Sequence, residues 1–274
     1  MKVFLRIVVA FAFGVFGPGK ARAEHAHGGG GHGHHHCDSC EMPETAVPVA
    51  STFSAGVGLV AARYDTQIYG GDYQGLVPAA SWMRGRLAAS AAVGLYRLVE
   101  NGARRYGVSD VVVSGQATLF ERPRGAFGVA LPVSIPAGDH VTGFGMGHVM
   151  LMPGAWANGE PRGFGGLQLG AAIGYSRALG GAEHHDHGSW PLVDPMNLQE
   201  LTWSASASVP LGHVIRTGLR MSGGVPLGDG RQRVTGGVRA SWTAGRVETG
   251  FEIQAGLAGD PFILRGLLES AVHF

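Results

Sequence analysis

From Phe53 to Phe274 the chain alternates apolar and polar residues with a period of two, and this pattern constrains the fold more than any other feature. In Val247-Glu248-Thr249-Gly250-Phe251-Glu252-Ile253-Gln254-Ala255-Gly256-Leu257 one parity is apolar and the other is Glu, Gly or Gln. The run from Glu200 to Leu211 sets Leu201, Trp203, Ala205, Ala207, Val209 and Leu211 against Glu200, Thr202 and three serines. Successive residues of a strand point to opposite faces, so each segment is a strand with one apolar and one polar face. Twelve such segments lie near 53–64, 78–86, 88–99, 110–121, 126–136, 147–157, 164–178, 198–210, 214–226, 233–243, 246–257 and 262–274. Most approach the ~9–11 residues that a tilted strand needs to cross a bilayer. The connections alternate too: 65–77, 100–109, 137–146, 179–197, 227–232 and 258–261 are mostly long, whereas 87, 122–125, 158–163, 211–213 and 244–245 are short. An even number of strands, with short turns at one end and longer loops at the other, describes a bacterial outer-membrane barrel. A two-sheet sandwich also alternates, but it gives no reason for loop length to follow strand parity. The expected fold is all-β, a single antiparallel transmembrane β-barrel of about 12 strands over residues 53–274.

Composition supports that placement of the apolar residues. The chain holds 47 glycines, and only 15% of its residues are charged against 45% hydrophobic. Disorder needs low hydrophobicity and high net charge, the glycines follow no collagen triplet, and a formal net charge of +1 disfavours a nucleic-acid partner. Residues 1–23 have the layout of a secretory signal peptide: Lys2 and Arg6, an apolar run from Ile7 to Phe16, a Gly17-Pro18-Gly19 break, and the small residues of Ala21-Arg22-Ala23. Cleavage after Ala23 removes four cations and no acid, taking the charge from +1 to −3 and leaving arginine as the chain's only basic residue besides histidine. No Cys follows the cleavage point, and no later run is long and apolar enough for a membrane helix. The expected location is the bacterial outer membrane, with the segment before the barrel in the periplasm.

That segment, residues 24–52, has almost no large apolar side chain and is expected to be flexible. It carries six of the 13 histidines, His25, His27, His32, His34, His35 and His36, beside a Cys-x-x-Cys formed by Cys37 and Cys40. Neutral imidazole and thiolate are the usual ligands of Cu, Zn and Ni, so a metal-binding tail is one expectation. A low-complexity tether is the other. The two cysteines could instead pair in an oxidising periplasm, leaving the imidazoles as ligands. A second, smaller cluster, His184-His185-Asp186-His187, sits in the long connection 179–197. His140 and His148 receive no role. No cofactor is obligatory on this pattern.

If the apolar parity faces lipid, the other lines the lumen. It places Glu200 on one strand, Arg216 and Arg220 on the next, Arg239 on the third, Glu248 and Glu252 on the fourth, and Arg265 with Glu269 on the last. One interpretation is a charge-lined pore; the other is cross-strand pairing that fills a narrow interior, at about 0.2–1 kcal/mol per pair. Trp82, Trp156, Trp203 and Trp242 are expected in the interfacial girdles, with stacking in the lumen as the alternative.

Two stretches carry a family likeness: Tyr106-Gly107-Val108-Ser109-Asp110-Val111-Val112-Val113-Ser114-Gly115, and Val129-Ala130-Leu131-Pro132-Val133-Ser134-Ile135-Pro136-Ala137-Gly138-Asp139. They resemble a Gly-x-x-Asp strand opening followed by a strand ending in Leu-Pro-Thr-Gly-Asp, with Ala137 where Thr is usual. Together they resemble the MetA-like outer-membrane barrels of the phenol-degradation meta-pathway. That resemblance implies uptake of small, often aromatic, molecules. The terminal Ser270-Ala271-Val272-His273-Phe274 is similar to the signal read by the barrel-assembly machinery, an expected partner through Phe274, although the nearest glycine, Gly266, is displaced. A His-rich tail ahead of a barrel is similar in layout to copper-resistance outer-membrane proteins. Two functions follow: a channel or transport-related barrel whose tail binds Cu, Zn or Ni for metal handling, or a narrow passive channel for small organic solutes. No nucleophile motif accompanies Asn101, Asn158 or Asn197, and the chain is not expected to be an enzyme.

Overall fold

The computed structural model describes residues 51–65, 70–180, 197–228, 230, 232–259 and 262–274. Fifteen strand segments follow one another: β1 Ser51–Asp65, β2 Gly70–Arg84, β3 Leu87–Ala92, β4 Leu95–Glu100, β5 Ala103–Val108, β6 Val111–Arg122, β7 Gly125–Ile135, β8 Val149–Leu151, β9 Gly154–Gly159, β10 Gln168–Leu179, β11 Gln199–Leu211, β12 Ile215–Pro226, β13 Arg233–Ala244, β14 Val247–Ala258 and β15 Phe262–His273. Three pairs of segments are single strands interrupted once. β3 and β4 both pair with β2, β8 and β9 both lie between β7 and β10, and β5 continues into β6. Each interruption has a cause. Pro153, without an N–H, stands between β8 and β9. The other two breaks face each other: Ser109 donates its backbone N–H to the Gly94 carbonyl at 2.8 Å, and its Oγ accepts the Gly94 N–H at 2.8 Å.

Counted this way, the molecule is a closed antiparallel barrel of twelve strands, sealed where β1 pairs with β15 from Ser54↔His273 to Tyr64↔Phe262. Burial alternates along much of the wall, most clearly on β1 and β7. On β7, Phe127, Val129, Leu131 and Ile135 are exposed while Ala126, Ala130 and Ser134 are buried. In a closed barrel the buried parity is the interior, so the outer face is apolar, with Ile173 and Leu219 more than 60% exposed. Such a surface is stable against lipid, where all strand N–H and C=O groups must pair within the protein. A strand of β10's length, 12 residues, spans about 28 Å when tilted by ~45° at ~3.3 Å per residue, close to a bilayer's hydrocarbon core.

Two expected loops are strand instead. Residues 70–77 belong to β2, and 103–108 form β5, joined to β4 by the two-residue turn Asn101-Gly102 with φ of 47° and 87°. Both residues are left-handed, as a type I′ hairpin turn requires. Along these extensions the outward parity mixes Val99 and Tyr106 with the polar residues Asp72, Gln74, Arg97 and Arg104. Arg97 hydrogen-bonds Gln74 and lies 3.9 Å from Asp72. The wall therefore rises past the lipid band on this side, where an outward face has no reason to be apolar. Long connections remain at 136–148 and 180–198.

Candidate functional site: a divided lumen

The interior is filled by two different kinds of side chain. On one side, inward residues of β1, β2, β3, β4, β6 and β15 form a continuous apolar cluster: Val60, Tyr64, Tyr73, Tyr96, Leu98 and Leu267 among them. Leu98 is completely buried. Tyr73 and Tyr96 meet edge to face, with ring centroids 6.1 Å apart. Glycine makes room for these rings. A Cβ on Gly75 would overlap the Tyr96 ring, which lies across the neighbouring strand instead of pointing into open lumen.

On the other side, β11 to β15 turn charged residues inward. By parity and register all eight residues of the sequence ladder, Glu200, Arg216, Arg220, Arg239, Glu248, Glu252, Arg265 and Glu269, lie on the interior face. Most of them have a charged or hydrogen-bonding partner. Near the long-loop end Arg233 forms an ion pair with Glu200, each about 2% exposed or less, and Asn197 Nδ2 donates to Glu200 Oε2 at 2.7 Å. The pair reaches across β12 because residue 224 is glycine; a Cβ there would sit 2.8 Å from Glu200 Oε2 and 3.0 Å from Arg233 Nη2. At mid-height Arg239 pairs with Glu269 at 3.8 Å, spanning β14 over Gly250, although Glu252 is its direct neighbour in register. Arg265 donates to Gln254, which donates to Glu252, and its guanidinium stacks over Phe262 at 4.7 Å. At the short-turn end His273 lies 3.7 Å from Glu248, and Arg216 donates to Ser208 Oγ at 3.3 Å. Polar groups thus line this wall over its whole height.

A third component narrows the lumen at the long-loop end. The connection 136–148 folds inward and seats Phe144, 3% exposed, in the apolar cluster. Asp110 holds it there. Its Oδ1 accepts the backbone N–H groups of Ala137 and Gly138 at 3.1 and 3.0 Å, and its Oδ2 accepts that of Met146 at 2.8 Å. Within the loop Asp139 accepts from the Val141 N–H at 3.0 Å and the Thr142 hydroxyl at 2.7 Å; the latter bond is the main reason its carboxyl is held below the usual range. The two stretches that carry the family likeness therefore meet at one carboxylate. Because the contact is made by backbone N–H groups, Ala137 serves as well as Thr would.

The tryptophans divide. Trp82 and Trp242 are outward, 40% and 49% exposed, beside the short turns, and Trp203 is outward near the long loops, lying over Gly223. Trp156 is not in a girdle: it shares the inward parity of its partners Gly128 and Ala172, and its ring fills the space above Gly128. Arg233, which is not among the eight ladder residues, shares the inward parity of Arg239 on β13. The Asp110 clasp had a sequence signal, the Gly-x-x-Asp stretch, but no indication of its partner. His148 is buried, and His140 packs beside Gly147. The candidate metal ligands His25, His27, His32, His34, His35, His36, Cys37 and Cys40, and the cluster His184, His185, Asp186 and His187, lie outside the described residues. Among the described residues no group of three or more His, Cys, Asp or Glu is placed to hold a metal ion.

The fold is one shared by outer-membrane channels. The chain is similar to the COG4313 outer membrane channel from Pseudomonas putida F1, at 11% identity and a TM-score of 0.63, covering 86% of this chain and all of that one. It is also similar to the KdgM porin, at 8% identity and a TM-score of 0.53, covering 81% of this chain and 99% of that one. At these identities the likeness is one of architecture. No protein-family model matches the chain, and no curated protein does.

Proposed function

We propose that this protein is a narrow outer-membrane channel that passes small organic solutes carrying both an apolar body and a polar group, with its short-turn end toward the periplasm. The observation that carries this reading is the division of the lumen. A wall of paired charges runs from Glu200 and Arg233 to Glu248 and His273, facing an apolar wall that includes Tyr96 and Leu98. Charge rings select solutes in channels, and mostly apolar sites with a few placed polar groups bind small organic molecules. Channels and porins among the similar folds support the reading, as do the two family-like stretches joined at Asp110. The test is osmotic swelling of proteoliposomes. Benzenesulfonate, which keeps its charge at any working pH, is expected to enter faster than arabinose, and raffinose is expected to be excluded. Entry no faster than into protein-free liposomes for every solute would overturn the proposal.

A metal-binding tail is a separate proposal, supported by the six histidines and the Cys-x-x-Cys of residues 25–40. Calorimetric titration with Cu²⁺, Zn²⁺ and Ni²⁺, with and without residues 24–50, tests it. Affinity no tighter than about millimolar, unchanged by the deletion, would exclude it.

A further inference from the structure

The short-turn rim is strongly and unevenly charged. Its turns carry Arg84 and Arg86, Arg122 and Arg124, Arg162, and Arg246, all exposed. The carboxylates among these turns are Glu121 and Glu160, and Glu160 accepts a hydrogen bond from Gln168 at 3.0 Å. Two features show which way this charge points. Arg84 follows Trp82 and Arg122 follows Phe120 on the same outward parity, so each guanidinium lies on the lipid side of the wall, one step beyond an outward aromatic ring. Arg122 is also stacked over Phe120, 5.0 Å from the ring centroid. Phe53, Phe127, Trp242 and Phe274 lie on the same rim, with Phe53 and Phe274 ring centroids 6.1 Å apart and the Phe274 N–H donated to the Phe53 carbonyl at 2.8 Å. Aromatic girdles mark the headgroup level of a bilayer.

We infer that this rim binds the anionic phosphate headgroups of the phospholipid leaflet around it, with Arg84 and Arg122 as the outward contacts. The inference rests on the outer-membrane orientation proposed above but not on solute passage. Guanidinium suits the role because its planar fork donates two parallel hydrogen bonds to a phosphate, and each basic side chain near an anionic surface adds to the attraction. A competing occupant is the chain's own residues 24–50, which carry Glu24, Asp38, Glu41 and Glu44 and no Lys or Arg. The outward parity of Arg84 and Arg122 favours lipid, because a segment below the barrel would meet the turns from beneath.

The experiment reconstitutes the mature chain into phosphatidylcholine vesicles. Electron spin resonance then measures the association of spin-labelled phosphatidylglycerol relative to spin-labelled phosphatidylcholine. At low salt the anionic lipid is expected to be enriched by about two- to fourfold, falling toward parity in 1 M NaCl. An Arg84→Gln/Arg122→Gln variant, shown to be folded by heat-modifiable electrophoretic mobility, is expected to lose most of the enrichment. Inorganic phosphate at matched ionic strength is expected to leave it unchanged; abolition by phosphate alone would assign the rim to free anions and overturn the proposal. No enrichment in the full chain, or equal enrichment in the variant, would also overturn it. Enrichment that appears only after removal of residues 24–50 would assign the rim to the tail. Single-channel current reads the proposed channel function independently, so failure of one leaves the other standing.

Discussion

The two walls of the lumen reach the same packed result by opposite means. The wall of Tyr64, Tyr73, Tyr96 and Leu98 is a protein core turned inward, held by area removed from water and by close contact. The wall of Glu200, Arg233, Arg239, Glu269 and Arg265 holds charges that are stable there only because they are paired and hydrogen-bonded. Both walls use glycine for one purpose, to let a long side chain cross the neighbouring strand: Gly75 under Tyr96, Gly224 under the Glu200–Arg233 pair. The apolar wall can close a barrel, but it gives ions and polar solutes nothing to follow. In the proposed channel the charged wall supplies the path, and it depends on each partner being present.

The largest expected break in this comparison comes from removing one member of a buried pair. Arg233→Met strands the Glu200 carboxylate and is expected to cost about 3–5 kcal/mol, whereas the double variant Glu200→Leu/Arg233→Met recovers most of that loss. Urea unfolding in vesicles followed by tryptophan fluorescence checks both. Leu98→Ala, on the apolar wall, is expected to cost about 2–4 kcal/mol if this wall is packed as a core. A cost below about 1 kcal/mol would mean that water fills the space and that the wall is pore lining.

Asp110→Ala removes the acceptor of three backbone N–H groups. It is expected to cost about 1–3 kcal/mol and, by freeing connection 136–148, to raise single-channel conductance. Unchanged conductance would show that this loop does not set the constriction. The smallest effect belongs to Trp156→Phe. The Trp156 indole N–H is buried with no acceptor among the described residues, so its loss is expected to change stability by no more than about 0.5 kcal/mol.

The sequence already pointed to the barrel because lipid on one side and a polar lumen on the other impose the period of two from β6 to β15. The same logic hid the upper parts of β2 and β5, where the wall stands above the lipid and Asp72, Gln74, Arg97 and Arg104 face outward. Asn101-Gly102 was the local signal for that hairpin. Parity located the charge ladder, but pairing across an intervening strand depends on where glycines fall in register, as Gly224 and Gly250 show. Trp156 looked like a girdle residue because strand position alone does not give parity where Pro153 breaks the strand. The Asp110 clasp joins residues far apart in sequence through backbone donors, which leave no mark in side-chain pattern.

The central claim is that ions pass along the charged wall, while the apolar wall is packed and offers them no path. Single-channel recording with cysteine accessibility tests it most directly, in a background carrying Cys37→Ser and Cys40→Ser. Ser222→Cys places a thiol on the inward face of β12, in the charged wall, and Ala92→Cys places one in the buried apolar cluster. A charged methanethiosulfonate reagent is expected to change the current through the Ser222→Cys channel and to leave the Ala92→Cys channel unaltered. Modification of the Ala92→Cys channel alone, or the absence of current from the unmodified protein, would contradict the account.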